Sequence, residues 1–410
     1  MKPKIIFSEE KKSWIKRPLL SNIEKIIDYR GRTPKKLGLS WSDTGFLALS
    51  ALNVKNGYID FNADANYGDQ ELYDRWMGDN HLHKGQVVFT TEAPMGNVAQ
   101  IPNDALYILS QRTIAFEVKH DLIIEDFLAT LLRSPKIFNE LTSLSSGGTA
   151  KGVSQKSLSN LKVCVPASLE EESAIGSFFL TLDDLLASYK DNLANYQSLK
   201  ETMLSKMFPK AGQTVPEIRL DGFEGEWEVV SLGTLIENYD EIISGESGFP
   251  IATSSRKGLY LQNDYFEGGR TGIDLTLDFH RVPMGYVTYR HMSDDSIFKF
   301  NKNNFETDVL VSKEYPVFIN NDNSDIDFLL YHLNNSRLFL RFSTMQKLGG
   351  TRVRLYYKNL ITYKLAVPTV KEQQAIGSYF SKLDQLITSY REKITQLETL
   401  KKKLLQDMFI

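Results

Sequence analysis

At 410 residues the chain is too long for one hydrophobic core, so we expect at least two domains. Its 48 Lys and Arg against 51 Asp and Glu give a net charge of −3, which argues against indiscriminate nucleic-acid binding but leaves room for a local basic cleft. The single cysteine, Cys164, excludes an internal disulfide and a cysteine-based metal cluster.

The first half of the chain begins with MKPKIIFSEEKKSW, which lacks the apolar core of a signal peptide. No apolar run approaches the length of a membrane span, so we expect a cytoplasmic protein. Residues 29–117 contain short β-rich runs (VVFTT, AQIP, TIAFEV) separated by Gly, Asn and Asp turns. The periodicity of FLATLLRSPKIF (127–138) predicts a short helix, and residues 171–208 predict a long one without proline.

The second half follows a connector rich in Pro, Gly and charge, PKAGQTVPEIRLDGFEGEW (209–227). Residues 239–316 again contain short β-rich runs (GYVTYR, SIFKF, VLVS). A second long helix is predicted from about residue 371 to the last residues of the sequence. Each half is therefore predicted to be a globular region followed by a long helix.

The two halves are an internal repeat. Residues 174–208 align without a gap with residues 375–409 at an offset of 201, and 15 of the 35 pairs are identical. The segment GGTAKGVSQKSLSNLKVCVP (147–166) aligns with GGTRVRLYYKNLITYKLAVP (349–368) at an offset of 202. Between these anchors the halves share little, so the frame is duplicated while the interiors differ.

Both long helices carry a narrow apolar seam at heptad positions a and d, which favours a coiled coil of the two helices. In the first helix the a and d positions are Phe179, Leu186, Leu193, Lys200, Met207 and Ile175, Leu182, Tyr189, Tyr196, Met203. In the second they are Phe380, Ile387, Ile394, Lys401, Met408 and Ile376, Leu383, Tyr390, Leu397, Leu404. The lysine at the same a position in both would fix the register at some cost in stability. The alternative is two unrelated amphipathic helices, each packed on its own domain.

An antiparallel pair requires the least connecting chain, because a parallel pair would make the second globular region span the helices. We therefore expect an α+β protein in which two globular α/β domains are joined by two long helices. These helices would form an antiparallel coiled coil with an internal pseudo-twofold repeat. The expected boundaries are a first globular domain at 1–168, a helix at 169–208, the connector at 209–227, a second globular domain at 228–370 and a helix at 371–410.

The order of these segments, occurring twice, resembles the specificity (S) subunit of Type I restriction–modification systems. The resemblance covers essentially the whole chain, although SEEKKSW replaces near the N-terminus the pattern seen in the connector as LDGFEGEW. It implies two target-recognition domains that each read one half of a bipartite double-stranded DNA target. It also implies helices that recruit two methyltransferase (M) subunits and, through them, restriction (R) subunits.

The resemblance implies a subunit that catalyses nothing itself and holds no cofactor, since S-adenosylmethionine belongs to the M subunits and ATP and Mg to the R subunits. In agreement, the sequence contains no [DNS]PP[YF] adenine-methyltransferase loop and no phosphate-binding G-x-x-x-x-G-K-[ST] loop. We therefore expect no catalytic and no metal site. Two other interpretations are an assembly scaffold that does not bind DNA and a self-contained methyltransferase–nuclease, which the absent loops disfavour.

The DNA-contact candidates are basic and polar residues in the divergent regions and in the duplicated GGT segments. Guanidinium groups suit guanine edges and phosphates, lysines suit phosphates, and glycines let the backbone approach closely. In the first half the candidates are Arg30, Arg32, Lys35, Lys36, Arg112, Gly148, Thr149 and Lys151. In the second they are Arg256, Lys257, Arg270, Arg290, His291, Gly350, Thr351, Arg352 and Arg354. The alternative is that these are solvated surface charges and that the GGT segments are tight turns.

A second apolar stripe flanks the a/d seam at corresponding positions of both helices. A further stripe on a helix that is already paired suggests another protein partner. We expect this stripe to dock the M subunits. Its residues are Phe178, Leu185 and Leu199 in the first helix and Tyr379, Leu386 and Leu400 in the second.

Overall fold

The computed structural model describes residues 13–145, 152–265, 274–347 and 352–409. The chain divides into two compact units, one formed by residues 1–191 with 391–410 and the other by residues 192–390. Each unit contains a globular region and parts of both long helices. The helices are therefore integral to both units rather than separate from them.

The first unit contains nine strands and four short helices within its described residues. Its strands are β1 (Ile15–Pro18), β2 (Ile23–Asp28), β3 (Phe46–Leu49), β4 (Tyr67–Gly68), β5 (Val87–Thr90), β6 (Val98–Gln100), β7 (Ile108–Leu109), β8 (Thr113–Val118) and β9 (Lys162–Val165). Its short helices are α1 (Gln70–Met77), α2 (Glu125–Leu132), α3 (Pro135–Leu144) and α4 (Gln155–Asn160). The first long helix, α5 (Leu169–Lys206), follows β9 and continues into the second unit.

The second unit repeats this order with additional strands. Its strands are β10 (Glu228–Ser231), β11 (Ile236–Tyr239), β12 (Ile242–Ser244), β13 (Ala252–Ser255), β14 (Gly258–Leu261), β15 (Asp278–Val282), β16 (Val287–Tyr289), β17 (Met292–Ser293), β18 (Phe300–Lys302), β19 (Val309–Ser312), β20 (Val317–Asn320), β21 (Val353–Arg354) and β22 (Lys364–Val367). Its helices are α6 (Gln262–Tyr265), α7 (Ile326–Asn335), α8 (Arg337–Met345), α9 (Tyr357–Leu360) and the long α10 (Val370–Met408), which ends in the first unit.

The main sheets of the two units share their strand order, and β2–β8 begins in the same register as β11–β20 but is shifted by a bulge between Ile23 and Lys25. In the first unit the main sheet has the order β2-β8-β5-β6, and its counterpart in the second unit is β11-β20-β16-β18. The pair Ile23↔Val118 corresponds to Ile236↔Asn320. β1 pairs with β9 and β10 pairs with β22 in the same manner. The sequence repeat is therefore also a repeat of strand pairing.

The interiors differ, as the sequence predicts. The first unit adds a sheet of order β4-β3-β7, in which β3 and β7 are parallel. The second adds a sheet of order β12-β15-β19 and the pairs β13-β14 and β17-β21. These inserted strands pack on their own apolar clusters, which include Leu49 and Trp76 in the first unit and Val282 and Val311 in the second.

The segment predicted as one helix, residues 127–138, belongs to two. α2 ends at Leu132, and α3 begins with Ser134 as its N-cap and Pro135 in its first turn. The Ser134 hydroxyl accepts from the amide of Ile137, and proline is favoured at the first helical position because it lacks the N–H group that would have no partner there. The second unit makes the same break at Ser336, which caps α8. The apolar period continues through the break, which is why the sequence did not reveal it.

The long helices pair antiparallel in each unit. In the first unit Ile175 and Phe179, near the start of α5, share a core with Leu405 and Met408 at the end of α10. In the second unit Met207 and Phe208, at the end of α5, share a core with Ile376 and Phe380. The predicted a and d residues are buried or half-buried throughout both helices. The predicted antiparallel coiled coil is confirmed.

The two a-position lysines each form an ion pair with the other helix. Lys200 Nζ lies 2.5 Å from Asp384 Oδ1, and Lys401 pairs with Asp183, the repeat counterpart of Asp384. A one-heptad slip would separate both lysines from these carboxylates. The pairs therefore favour one register, as expected for polar residues in an apolar seam.

Close helix packing explains the glycine of the duplicated AIGSxF motif. A Cβ atom on Gly176 would lie 2.8 Å from the amide nitrogen of Phe127 at the start of α2. On Gly377 it would lie 3.1 Å from the amide nitrogen of Phe328 at the start of α7. A larger residue at either position would therefore push the long helix away from the start of the short one, most strongly at Gly176.

Candidate nucleic-acid interface

In the first unit, two of the predicted DNA-contact arginines lie beside the chain that leaves the GGT segment. Arg30 donates to the carbonyl of Val153 (3.1 Å), and its guanidinium also binds Asp28. Arg112 lies 3.2 Å from Glu92, which is bridged to Gly152. Both arginines are exposed. Their charges therefore stand at the point where residues 152–153 rejoin the sheet.

The other first-half candidates have different surroundings. Arg32 is half-buried, with its guanidinium carbon 4.5 Å from the ring centre of Tyr29 and a hydrogen bond to the carbonyl of Trp76. These contacts tie its charge to the domain interior. Lys35 and Lys36 are exposed on a short 3-10 helix, where the ammonium of Lys36 donates to the carbonyl of Gly31 (2.6 Å).

In the second unit, four predicted residues surround one cavity of about 430 Å³, which we call the basic cavity. Its cationic lining residues are Arg256, Lys257, Arg290, Lys299 and Arg352. Arg256 pairs with Asp295 (2.6 Å) and Arg352 with Asp294 (2.8 Å). Within the described residues no carboxylate pairs with Arg290. The cavity therefore carries an excess of positive charge suited to an anionic ligand.

The basic cavity also has apolar and aromatic walls. Ile297 and Phe298 line it on one side, and Tyr315 contributes an aromatic ring. Lys299 was not among the residues predicted from the sequence. It follows Phe298 in a run that reads as an ordinary strand, SIFKF, and only the packing of that run brings its side chain to the cavity.

His291 differs from an exposed DNA-contacting position. Only 4% of its surface is exposed, and its ring stacks on Tyr356 with centroids 5.5 Å apart. Burial and the neighbouring Arg354 and Arg290 charges lower the pKa of His291, while Glu314 opposes them. The imidazole is therefore neutral at pH 7 and packs as a core side chain. Arg354 is exposed on β21.

The chain leaving each GGT segment is held in the same way in the two units. Gly152 bridges to Glu92 in the first unit, and β21 pairs with β17 through Met292↔Arg354 in the second. Each unit thereby places arginines next to this segment. The remaining candidates, Gly148, Thr149, Lys151, Arg270, Gly350 and Thr351, lie outside the described residues.

Metal-ligand chemistry is absent from the part of the chain that the structure describes. No three His, Cys, Asp or Glu side chains are grouped there so as to hold a metal ion. His81 bonds to the hydroxyl of Tyr73 (2.8 Å), and His83 bonds to Glu125 (2.9 Å). These histidines have structural partners within the first unit.

The second apolar stripe of the long helices is largely exposed. Phe178, Leu185, Leu199, Leu386 and Leu400 expose between 37% and 46% of their surface. Tyr379 differs, because it is half-buried against the core of the second unit and its ring contacts Phe380.

The family model described as "Type I restriction modification DNA specificity domain" matches two stretches of this chain, residues 10–195 and 248–399, which together exceed half of it. The chain belongs to this family. The two matches correspond to the two halves of the repeat. The resemblance derived from the order of the sequence motifs is thereby confirmed.

Two curated proteins of Methanocaldococcus jannaschii are similar to this member of the specificity-domain family. The type I restriction enzyme MjaX specificity subunit is 24% identical over 277 residues, which is 62% of this chain and 59% of that protein. The chain therefore matches about three fifths of the length of that relative. The type I restriction enzyme MjaVIII specificity subunit is 23% identical over 321 residues, covering 73% of this chain and 72% of that protein.

A solved structure shares the fold. The S subunit of a Type I restriction–modification system from M. genitalium superposes with a TM-score of 0.61 and 14% sequence identity, covering 100% of this chain and 99% of that one. Among the described residues no helix combines the length and apolar character needed to cross a membrane.

Proposed function

We propose that this specificity-domain protein selects DNA sequences for a Type I restriction–modification complex in the cytoplasm. Each unit reads one half of a bipartite double-stranded target, and the chain catalyses no reaction itself. The basic cavity of the second unit carries this proposal, because it gathers Arg256, Arg290 and Arg352 where the residues of the two halves differ: the repeat counterpart of Arg352 is Ala150. A region free to differ between the halves is where two different half-sites would be read.

The arginines are suited to both tasks of DNA recognition. A guanidinium binds the O6 and N7 atoms of guanine in a bidentate manner, and it also binds phosphates. Arg290 has the freer charge, since Arg256 and Arg352 each have a carboxylate neighbour. In the first unit Arg30 and Arg112 take the corresponding place near Val153 and Gly152, which follow the GGT segment in the sequence. The apolar cavity wall would contact base edges or sugars.

Arg290→Ala should reduce DNA affinity and relax the sequence preference at one half of the target only. A lost bidentate contact costs about 1–3 kcal/mol, or roughly a 5- to 150-fold loss of affinity. The measurement is sequencing of the sites methylated by the protein together with its M partner. Lys371→Ala, an exposed change at the start of α10, is the matched control.

Altered preference in both halves of the target would contradict the modular proposal. Wild-type protein that shows no affinity for a mixed-sequence duplex, with the M partner present, would instead favour an assembly scaffold. Transfer of methyl groups to DNA by the purified chain alone would contradict its non-catalytic role.

The same proposal assigns the exposed stripe of the long helices to two M subunits, through which the R subunits join. The stripe occurs at corresponding positions of both helices, so it offers two like partners the same apolar surface. Leu185 and Leu386 are each exposed by about two fifths, which makes them accessible for docking.

Leu185→Asp combined with Leu386→Asp should reduce assembly with M subunits, because each carboxylate would be buried at the interface. Gel filtration measures the loss, and circular dichroism checks that the helices remain folded. Ser188→Asp with Ser389→Asp is the matched control, since these serines are exposed repeat counterparts on the same helices. Unchanged assembly of the leucine variants would place the docking surface elsewhere.

A further inference from the structure

A second cavity of about 480 Å³ adjoins the basic cavity in the second unit. We call it the lysine cavity, after Lys200, Lys257, Lys299 and Lys302, which line it together with Asp327 and Asp384. Lys257 and Lys299 line both cavities. The two cavities therefore share a wall of positive charge.

Both carboxylates of the lysine cavity already have cationic partners. Asp327 accepts from Lys302 (2.7 Å), and Asp384 binds Lys200 (2.5 Å) and the hydroxyl of Tyr331 (2.8 Å). Within the described residues no carboxylate pairs with Lys257 or Lys299. Two positive charges are thus left over in this cavity.

Of these two lysines, Lys299 is the more buried. Its side chain is half-buried, and burial together with the charge of Lys200 lowers the pKa of Lys299, while Asp384 opposes this effect. A partly buried ammonium group without a carboxylate partner is destabilising. An anion in the cavity would remove that cost.

The repeat shows that Lys299 has no role in the shared frame. In the first unit Gln100 of β6 bonds to Asp126 (2.7 Å), and in the second Lys302 of β18 bonds to Asp327, the repeat counterpart of Asp126. The same alignment of β6 with β18 makes Asn97 the repeat counterpart of Lys299. Asn97 bonds to the carbonyl of Val54 (2.9 Å), whereas Lys299 faces a cavity. The surplus cation belongs to the second unit alone.

We propose that the lysine cavity binds a phosphate group of the DNA backbone, held by Lys299 and Lys257 beside the bases read at the basic cavity. This inference rests on the proposed function and adds a subsite to it. The phosphate lies next to the Lys200–Asp384 pair that joins the long helices in this unit. DNA backbone and helix pair therefore meet at one group of charges.

Lys299→Met tests the subsite, because methionine keeps most of the apolar stem and removes the charge. Binding of the full-length variant to a mixed-sequence duplex is measured over a range of salt concentrations. The affinity should fall about 3- to 10-fold at moderate salt, and the slope of log affinity against log salt should become shallower by about 0.9. Lys364→Met, an exposed change on β22 that lines neither cavity, should alter neither quantity.

A second measurement needs no variant. If phosphate binds beside Lys299, the pKa of Lys299 rises on binding, so DNA binding in alkaline solution takes up protons. Calorimetry in two buffers with different ionisation enthalpies detects this uptake. The melting temperature of the DNA-free protein is also measured in inorganic phosphate and in chloride at equal ionic strength. A higher melting temperature in phosphate would indicate a site for a free anion.

The outcomes separate the two proposals. The subsite would be overturned if Lys299→Met bound DNA with the affinity and the salt slope of the wild-type protein. It would also be overturned if the wild-type protein bound DNA without taking up protons. Either result would leave the proposed function standing. Stabilisation by inorganic phosphate, with no change in the salt slope of DNA binding in Lys299→Met, would assign the cavity to a free anion. That result would also overturn the DNA-phosphate subsite. Absence of DNA binding by the wild-type protein would overturn both.

Discussion

Asp183→Ala should destabilise the first unit by about 3–5 kcal/mol, because it leaves two cations without their shared carboxylate. Arg133 lies 2.5 Å from Asp183, and only 5% of the Arg133 side chain is exposed. Lys401, at an a position of α10, binds the other carboxylate oxygen. Burial and the Arg133 charge already lower the pKa of Lys401, and Asp183 counteracts them. The carboxylate is the only acid among the described residues that pairs with either cation.

Tryptophan fluorescence during urea unfolding measures this loss. Three of the four tryptophans, Trp14, Trp41 and Trp76, lie in the first unit, and Trp227 lies in the second. The signal therefore reports mainly the unit that carries the substitution. Hydrogen exchange in α2 and in the first turns of α5 should speed up together with the shift in midpoint.

Asp384→Ala is the matched control, since Asp384 is the repeat counterpart of Asp183. Its side chain is 42% exposed, and its partners are Lys200 and the hydroxyl of Tyr331, with no arginine. We expect a cost of about 1 kcal/mol there. Equal losses in the two variants would show that the buried arginine does not set the effect.

A triple replacement separates loss of charge balance from loss of packing. With Arg133, Asp183 and Lys401 all changed to leucine, no charge remains unpaired, and most of the stability should return. In the first unit, the register of α5 against α10 would then depend on the apolar a and d residues alone. Continued instability of the triple variant would show that the three leucines do not pack in the space of the original side chains.

The sequence was sufficient for the frame of this protein. Heptad positions follow from spacing alone, and the duplication identified which residues belong to the frame. The lysines at matching a positions and the separate interiors followed from these two observations, and the antiparallel pairing followed from the least connecting chain. Gly176 allows α5 to pack closely on α2. A single glycine in the sequence does not, however, indicate which segment packs against it.

The sequence was insufficient for the candidate site, because its residues are far apart in the chain and differ in type between the halves. Arg290 and Arg352 are 62 residues apart in the chain, and the pairing of β17 with β21 brings them to one cavity. Lys299 lies in a run whose sequence is typical of a strand, just before β18, and gave no signal. His291 was predicted as a DNA-contact residue, and the structure places it buried against the ring of Tyr356, a contact that depends on the return of β21 to β17.

Glu172→Gln should make the first unit more stable above neutral pH while changing little in acid. Glu172 is 1% exposed and accepts from the amide of Ile124 (2.9 Å). Burial raises the pKa of Glu172 from its usual 4.5 to about 7, although the Ile124 amide and the Arg17 charge oppose the shift. The repeat counterpart is Gln373, equally buried, which accepts from the amide of Asp325 (3.0 Å). The second unit therefore already contains the neutral form of this contact.

The direction of the pH effect follows from proton binding. Below about pH 4.5 Glu172 is protonated in both the folded and the unfolded chain, and its favourable contribution is fully present. As the pH rises from 4.5 to 7 the unfolded chain releases the proton and the folded chain retains it, so the free energy of unfolding decreases. The loss is complete above about pH 7 and amounts to about 3 kcal/mol, from 1.36 kcal/mol for each pKa unit.

Urea unfolding of wild type and Glu172→Gln between acid and alkaline pH measures the effect. The two free energies of unfolding should be similar in acid and diverge through the neutral range, with the variant about 3 kcal/mol more stable in alkaline buffer. Glu170→Gln, an exposed change in the same turn, should show no such divergence. Gln373→Glu should transfer the pH dependence to the second unit. A difference between wild type and Glu172→Gln that is the same at every pH would show that Glu172 stays ionised in the folded protein, with its charge balanced by Arg17 and the amide of Ile124.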